Sequence, residues 1–409
     1  MHDVLIRTSR RAGRLLRQWL PYHGEFRPTG IQESSQELAA HPGSRAAYFG
    51  VEPAADSTLT VSDDFYAQAS AYEGLHDKPH RQEHFPEGFV VQLPNGRVYA
   101  DNWNSVAIIA ANGKLVGDVC FQYDSRIWNM VPPSQNSIFR QRYFVSPRRI
   151  KGTVCSILSG GGAASGNYYH WLIDSLPRLH LVEKAGLLAQ TDYVLVYDKT
   201  KAFVVDTLGR LGFGPERILD VRDHPHLQAD QLLATSSVRG VLTHTPQWAC
   251  DFLRRVLLPA PATSRTFSPL VYISRRDAPG RHVRNEEALE ALLAEYGFET
   301  HTLSPYSQAE KIALFAQAQV IVSPVGAGLA NLVFCAPGTH LIELLPKSFV
   351  VPDFLELSSR LGLHHHFLVC PDQHMSTTRS NAQRDHLTVD LAALRLLLEQ
   401  ALQPALAAV

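Results

Sequence analysis

The chain has 409 residues, 45% of them apolar and 19% charged, with a formal net charge of −1. That length suits two or three domains of ordinary size, and the composition is globular rather than disordered. A balance this close to neutrality leaves no overall basic field to attract nucleic acid.

The chain opens with Arg7, Arg10, Arg11, Arg14 and Arg17 interleaved with Leu5, Ile6, Leu15, Leu16, Trp19 and Leu20. This is the pattern of a basic amphipathic helix, suited to packing on the body or to peripheral contact with an anionic membrane surface. The stretch lacks a continuous apolar core, and nowhere does the sequence run to about twenty apolar residues. Neither a signal peptide nor a membrane-spanning helix is expected. Cys120, Cys155, Cys250, Cys335 and Cys370 are odd in number and far apart. They read as reduced, mostly buried thiols of a cytoplasmic protein.

Residues 31–86 are rich in Ser, Ala, His, Gly and Pro and predict loops and short elements. From Gly88 to Asp118 short β-rich runs alternate with turn signals at Pro94-Asn95-Gly96 and Asn112-Gly113, which predicts hairpins in a small β-rich N-terminal subdomain. After Pro147 the texture becomes α/β. A strand over 152–158 enters the glycine run Gly160-Gly161-Gly162, followed by a helix over 167–179. Strands over 193–198, 217–221 and 231–237 and helices over 202–213 and 245–258 complete this series. Pro259 to Pro269 is the best linker. A second alternation then begins, with strands over 270–274, 299–303, 320–325, 340–346 and 364–370. Its helices follow Asn285, Ser307, Gly328 and Pro352, and a terminal amphipathic helix closes the chain. Asn285 and Ser307 are expected N-caps. Two such series imply two Rossmann-like halves. The expected domains are 1–150, 151–262 and 263–409.

Two constellations carry chemistry. In Asn167 to Leu179, NYYHWLIDSLPRL, Asn167 caps the helix, and His170 and Asp174 stand four residues apart on one face. A carboxylate oriented by an imidazole in apolar surroundings is a general-base arrangement. Asn167, Tyr169, Trp171 and Arg178 border it. In the second series, Arg275, Arg276 and Arg281 follow a strand end, where open α/β sheets bind ligands. Gly326, Ala327, Gly328, Leu329 and Asn331 open a helix whose amides suit phosphate. Glu343 is placed to hold ribose hydroxyls. No Asp-x-Asp pair offers a site for a nucleotide-bound cation, so no metal is expected. His364, His365 and His366 alternate faces of a strand, which argues against a shared metal site with His374 and Cys370.

The first run resembles the signature of glycosyltransferase family 61, whose bacterial members carry N-Y-Y-H-W-L-x-D-x-L-P-R-L. Later blocks agree: Ile273-Ser274-Arg275, Arg281 through Asn285-Glu286, Gly326-Ala327-Gly328-Leu329 with Asn331 and Phe334, and Ile342-Glu343-Leu344. The resemblance spans about residues 150–350. It implies a GT-B fold with the nucleotide-sugar donor on the C-terminal half and the acceptor near the N-terminal half, which puts Asn167, Tyr169, Trp171 and Arg178 on the acceptor side. It also implies inverting, metal-independent chemistry with Asp174 as base and His170 as its support, in a cytoplasmic bacterial enzyme of capsule, exopolysaccharide or lipopolysaccharide synthesis. UDP is the favoured nucleotide. Val325 stands where many members have histidine and cannot donate to a phosphate, which keeps a silent nucleotide- or glycan-binding relative open. The Gly326-x-Gly328 turn also keeps an NAD-dependent oxidoreductase open, although the third glycine of that fingerprint is absent.

Overall fold

A computed structural model describes residues 24–70, 79–102, 104–124, 129–258, 265–372 and 376–406. The basic N-terminal pattern therefore lies outside the described residues, as does most of the 259–269 linker. The chain is mixed α/β and forms two compact units. One holds the described residues up to Ala54 together with Glu87–Val238; the other holds Ala55–Pro86 and the chain from Arg239 onward.

The first unit is built on a twelve-stranded mixed sheet. Its strands include β1 (Gly88–Pro94), β2 (Arg97–Asn102), β3 (Ser105–Ile109) and β4 (Phe121–Asp124). They continue with β5 (Arg148–Ser156), β6 (Tyr193–Val196), β7 (Ile218–Asp220) and β8 (His226–Thr235). The last four run parallel in the order β7-β6-β5-β8. The order reverses between β5 and β8, and the carboxyl ends of strands at such a reversal are where open α/β sheets bind ligands. The inner strands are covered on both faces, which is why they read as continuous apolar runs such as Leu232-Leu233-Ala234.

The β-rich residues before 150 are not a separate subdomain. β8 pairs on its other edge, antiparallel, with both β1 and β2. Asn95-Gly96 is accordingly a kink in one long line along β8 and not a hairpin turn. Asn95 N–H donates to the Asp230 carbonyl at 2.9 Å, and Gly96 O accepts from Ala229 N–H at 3.1 Å. The hairpin expected at Asn112-Gly113 does form, with Gly113 at φ +79° and Ile109 paired to Leu115.

The second unit carries a five-stranded, all-parallel sheet of β9 (Leu270–Ile273), β10 (Glu299–His301), β11 (Val320–Pro324), β12 (His340–Pro346) and β13 (His364–Cys370). Its order is β10-β9-β11-β12-β13. The switch point lies between β9 and β11. The expected boundary at 262 is displaced, because helix Gln247–Leu257 packs in this unit: Arg254 Nη1 donates to the carbonyls of Val333 and Cys335, both at 2.7 Å. Ala55–Pro86 belongs here too, with Phe65 edge-on to Phe367 at 5.0 Å between centroids. Ser307 caps its helix in a full capping box. Asn285 does not cap; its side chain instead clamps the backbone of Val389 through two hydrogen bonds of 2.9 Å.

All five cysteines are free, and four are fully buried. Burial pushes the thiols of Cys155 and Cys250 up to about 12. Among the described residues no helix is long and apolar enough to cross a membrane.

Candidate active site

β5 delivers the chain to the glycine run at the carboxyl edge of the first sheet. Gly160 and Gly161 take φ of +73° and +52°, which side-chain-bearing residues adopt at a cost. Gly160 N–H donates to the Tyr197 hydroxyl at 2.8 Å, and the Ser159 and Ser175 hydroxyls bond at 2.7 Å. Asn167 then caps the next turn, accepting from Tyr169 N–H at 2.9 Å.

The helix expected over 167–179 is not one regular helix. Tyr168–His170 is a single α-turn, Trp171–Ser175 a π-turn, and the regular helix resumes at Arg178–Lys184. Leu176 N–H reaches back five residues to the Trp171 carbonyl at 2.9 Å. Pro177 accounts for the break, since it has no N–H to continue the ladder. The Asp174 carbonyl accepts instead from Arg178 Nε at 3.1 Å. Single π-turns of this kind recur at functional sites because they re-aim one or two side chains.

The side chain re-aimed here is Asp174. Its Oδ2 lies 2.6 Å from His170 Nδ1, and the two side chains are 18% and 28% exposed. The opposite edge of the imidazole faces Gly162. A Cβ at position 162 would stand 2.8 Å from His170 Cγ and closer still to Cδ2 and Nε2. The glycine is therefore part of the dyad, a contact between residues eight apart that the spacing did not announce.

The residues expected on the acceptor side have other work. Tyr169 and Trp171 are buried, and Trp171 Nε1 donates to Thr207 Oγ1 at 3.0 Å. Trp171, with Tyr168 edge-on to Phe203, packs the turn onto helix Ala202–Gly209. Arg178 is buried as well, and its Nη1 donates to the Thr235 carbonyl and hydroxyl at 3.2 and 3.1 Å. It pins the end of β8 to the dyad's turn. Asn167 is the cap.

At the switch point of the second sheet, Arg275 leaves β9 and lays its guanidinium over Gly326 at the end of β11. A Cβ on Gly326 would stand 2.8 Å from Arg275 Cζ and closer to Nη1. Arg275 Nε donates to the Gly280 carbonyl at 3.1 Å. Arg281 adopts φ +60°, stacks over Phe349 at 5.3 Å, and keeps a buried Nε with no hydrogen-bond partner. Burial, with the Arg275 charge beside it, lowers the Arg281 guanidinium to about 9. Neither arginine forms an ion pair among the described residues. Asp277 acts on Arg275 and Glu343 on Arg281 only from beyond ion-pair distance, and two cations held together without a paired carboxylate, one on a strained backbone, make an anion site. Ala327 and Gly328 add first-turn amides at the start of the 3₁₀ helix Ala327–Phe334.

Four members of the expected donor set are placed otherwise. Arg276 is tied down by Glu290 and Glu286. Asn331 is buried, donating to the Gly328 carbonyl at 2.8 Å, and Leu329 is core. Glu343 lies within β12, three residues before its end, and is fully buried with Oε2 on His365 Nε2 at 2.8 Å. Burial raises its carboxyl pKa. It is not open to ribose hydroxyls. Val325 is also buried, its N–H bonded to the Leu344 carbonyl at 3.0 Å. His364 and His366 gather with His340 on the face opposite His365. Among the described residues no three His, Cys, Asp or Glu side chains are grouped to hold a metal ion. His374 lies outside them.

A base-like dyad and an anion site, each at the carboxyl ends of parallel strands, are the equipment of a group-transfer enzyme. Residues 168–342 match the family model for Glycosyltransferase 61, a span that contains the dyad, both arginines and the Gly326 turn. The chain carries a glycosyltransferase family 61 domain and is a glycosyltransferase, an enzyme that takes a sugar donor and a glycan acceptor. No curated protein matches it.

Proposed function

We propose that the chain is an inverting, metal-independent glycosyltransferase that moves a sugar from a UDP-linked donor to a hydroxyl of a glycan acceptor. The observation that carries this reading is the His170–Asp174 dyad, half-sheltered on its π-turn. An acceptor hydroxyl bonded to Asp174 loses its proton to the carboxylate as its oxygen attacks the anomeric carbon. The bond from that carbon to the diphosphate breaks in the same displacement, and the configuration inverts. His170 holds Asp174 in line, and its far edge is occupied by Gly162.

The leaving diphosphate gathers negative charge, and Arg275, Arg281 and the amides of Ala327 and Gly328 are the groups that meet it. Fixed donors and charges of this kind stabilise a developing anion without a metal ion. Two units, one with a four-stranded parallel run in a mixed sheet and one with an all-parallel sheet, support the reading of two Rossmann-like halves of GT-B type. Assembly of a bacterial surface polysaccharide, on the cytoplasmic side of the membrane, is the setting we assign.

A second reading rests on Val325, which is apolar and buried where the resemblance expects a histidine. On that reading the chain binds nucleotide or glycan and turns over weakly. UDP release from UDP-sugars, measured with glycan acceptors and with EDTA, tests both. Release that survives EDTA supports the first reading. Loss restored by Mn²⁺ overturns metal independence, and UDP binding without turnover favours the second.

A further inference from the structure

We propose that Phe121 and Tyr123 form the stacking platform for the acceptor sugar beside the dyad; this deepens the glycosyl-transfer reading and rests on it. The aromatic residues of the NYYHWL run do not serve, because Tyr169 and Trp171 are buried in the unit's interior. The aromatic surface next to the dyad comes instead from β4, which lies before the family-matched segment.

Phe121 and Tyr123 are two apart on a strand and share a face, while Gln122 between them is buried on the other. Their rings are nearly parallel, 14° between planes and 6.4 Å between centroids, and both residues are only partly buried. The glycine run joins them to the chemistry. A Cβ on Gly160 would stand 2.5 Å from Phe121 Cγ, and one on Gly161 would touch the ring tip at 3.5 Å. Gly162 meets His170 in the same way. Two residues of chain span at most about 7 Å, so one short loop carries an aromatic face at one end and the imidazole at the other.

A pyranose presents C–H groups on one ring face and hydroxyls around its rim. Aromatic rings bury the first, leaving the rim hydroxyls to polar groups, and a carboxylate at the edge takes a proton from one of them. The glycines let the Phe121 ring and the imidazole close on the loop from its two ends, which sets the aromatic face and the dyad on one short stretch of backbone. The ligand class is a saccharide acceptor, bound by an apolar ring face.

The test measures binding to an array of hexose, N-acetylhexosamine and pentose oligosaccharides in parallel with transfer from a UDP-sugar. Phe121→Leu and Tyr123→Leu should each weaken binding of the preferred glycan, and raise its KM, by roughly tenfold. Donor KM should hold for both, and melting temperature for the Tyr123 variant; Phe121 also packs against the core of the sheet, so its variant is compared by glycan KM against donor KM below its own melting temperature. Tyr123→Phe and Phe121→Tyr, which keep the rings, should stay near wild type. Leucine variants that bind glycan like wild type overturn the platform. So would a loss matched by the ring-preserving variants. A wild-type enzyme that binds glycans without transferring any sugar overturns the transfer reading and leaves the platform standing. Absence of glycan binding by the wild type overturns both.

Discussion

Gly162→Ala isolates the geometry of the dyad from its chemistry. The position carries no left-handed φ, so alanine fits the backbone without strain. On the fold alone the change is neutral or stabilising, by about 0.4–1 kcal/mol from lost chain entropy. The new methyl would nevertheless stand 2.8 Å from His170 Cγ and nearer the Cδ2–Nε2 edge, where ordinary contact begins at 3.4 Å. The ring must therefore retreat by about 1 Å or more at that edge. At 28% exposure it has room to swing outward, which would break the 2.6 Å bond to Asp174. A misplacement of about 1 Å can cost roughly 10²-fold in rate. We expect kcat to fall by that order while donor KM and melting temperature stay near wild type. His170→Ala should produce a similar loss, and the double variant should be no worse than either single one, since both remove the same orienting contact. Steady-state kinetics and thermal unfolding on the three variants check this. A Gly162→Ala enzyme with wild-type kcat would refute the argument that His170 must stay in place.

Asp174→Asn keeps size and most hydrogen bonding but removes the base, so turnover should fall by about 10²–10⁴-fold with UDP affinity unchanged; an active, folded variant ends the mechanism. Arg275→Ala and Arg281→Ala should each weaken UDP by roughly 10- to 100-fold, the worth of a charged hydrogen bond, and leave uridine untouched. Equal losses for both ligands, measured by calorimetry, would contradict the phosphate assignment. In the second unit, burial raises the Glu356 carboxyl to about 7, with Thr245 N–H and hydroxyl donating to it. Its folded pKa lies above the ordinary 4.5, so its stabilising contribution is full below that value and is lost as pH rises through about 7. Glu356→Gln should therefore flatten the fall of melting temperature between pH 5 and 8, and an unchanged profile would show that the burial cost is met elsewhere.

What the sequence determined by itself is local. The four-residue spacing of His170 and Asp174, the caps at Asn167 and Ser307 and the Asn112-Gly113 turn were legible because hydrogen bonds between near neighbours produce them. The alternation of apolar runs with amphipathic helices likewise gave parallel sheets, and the arginine and glycine blocks pointed to the strand ends where Arg275 meets Gly326. The rest depended on partners far along the chain. Whether Asn95-Gly96 is a hairpin or a kink was decided by β8, more than a hundred residues later. Arg276 and Glu343 look like ligand groups in a linear reading, but Glu290 and His365 claim them once the sheet is packed. Tyr169 and Trp171 read as a binding surface and became interior, while Phe121 gained its place only by folding onto Gly160. Spacing along one strand or helix states which residues share a face. Which face is covered, and by what, is a property of long-range pairing and burial, and only the tertiary structure sets it.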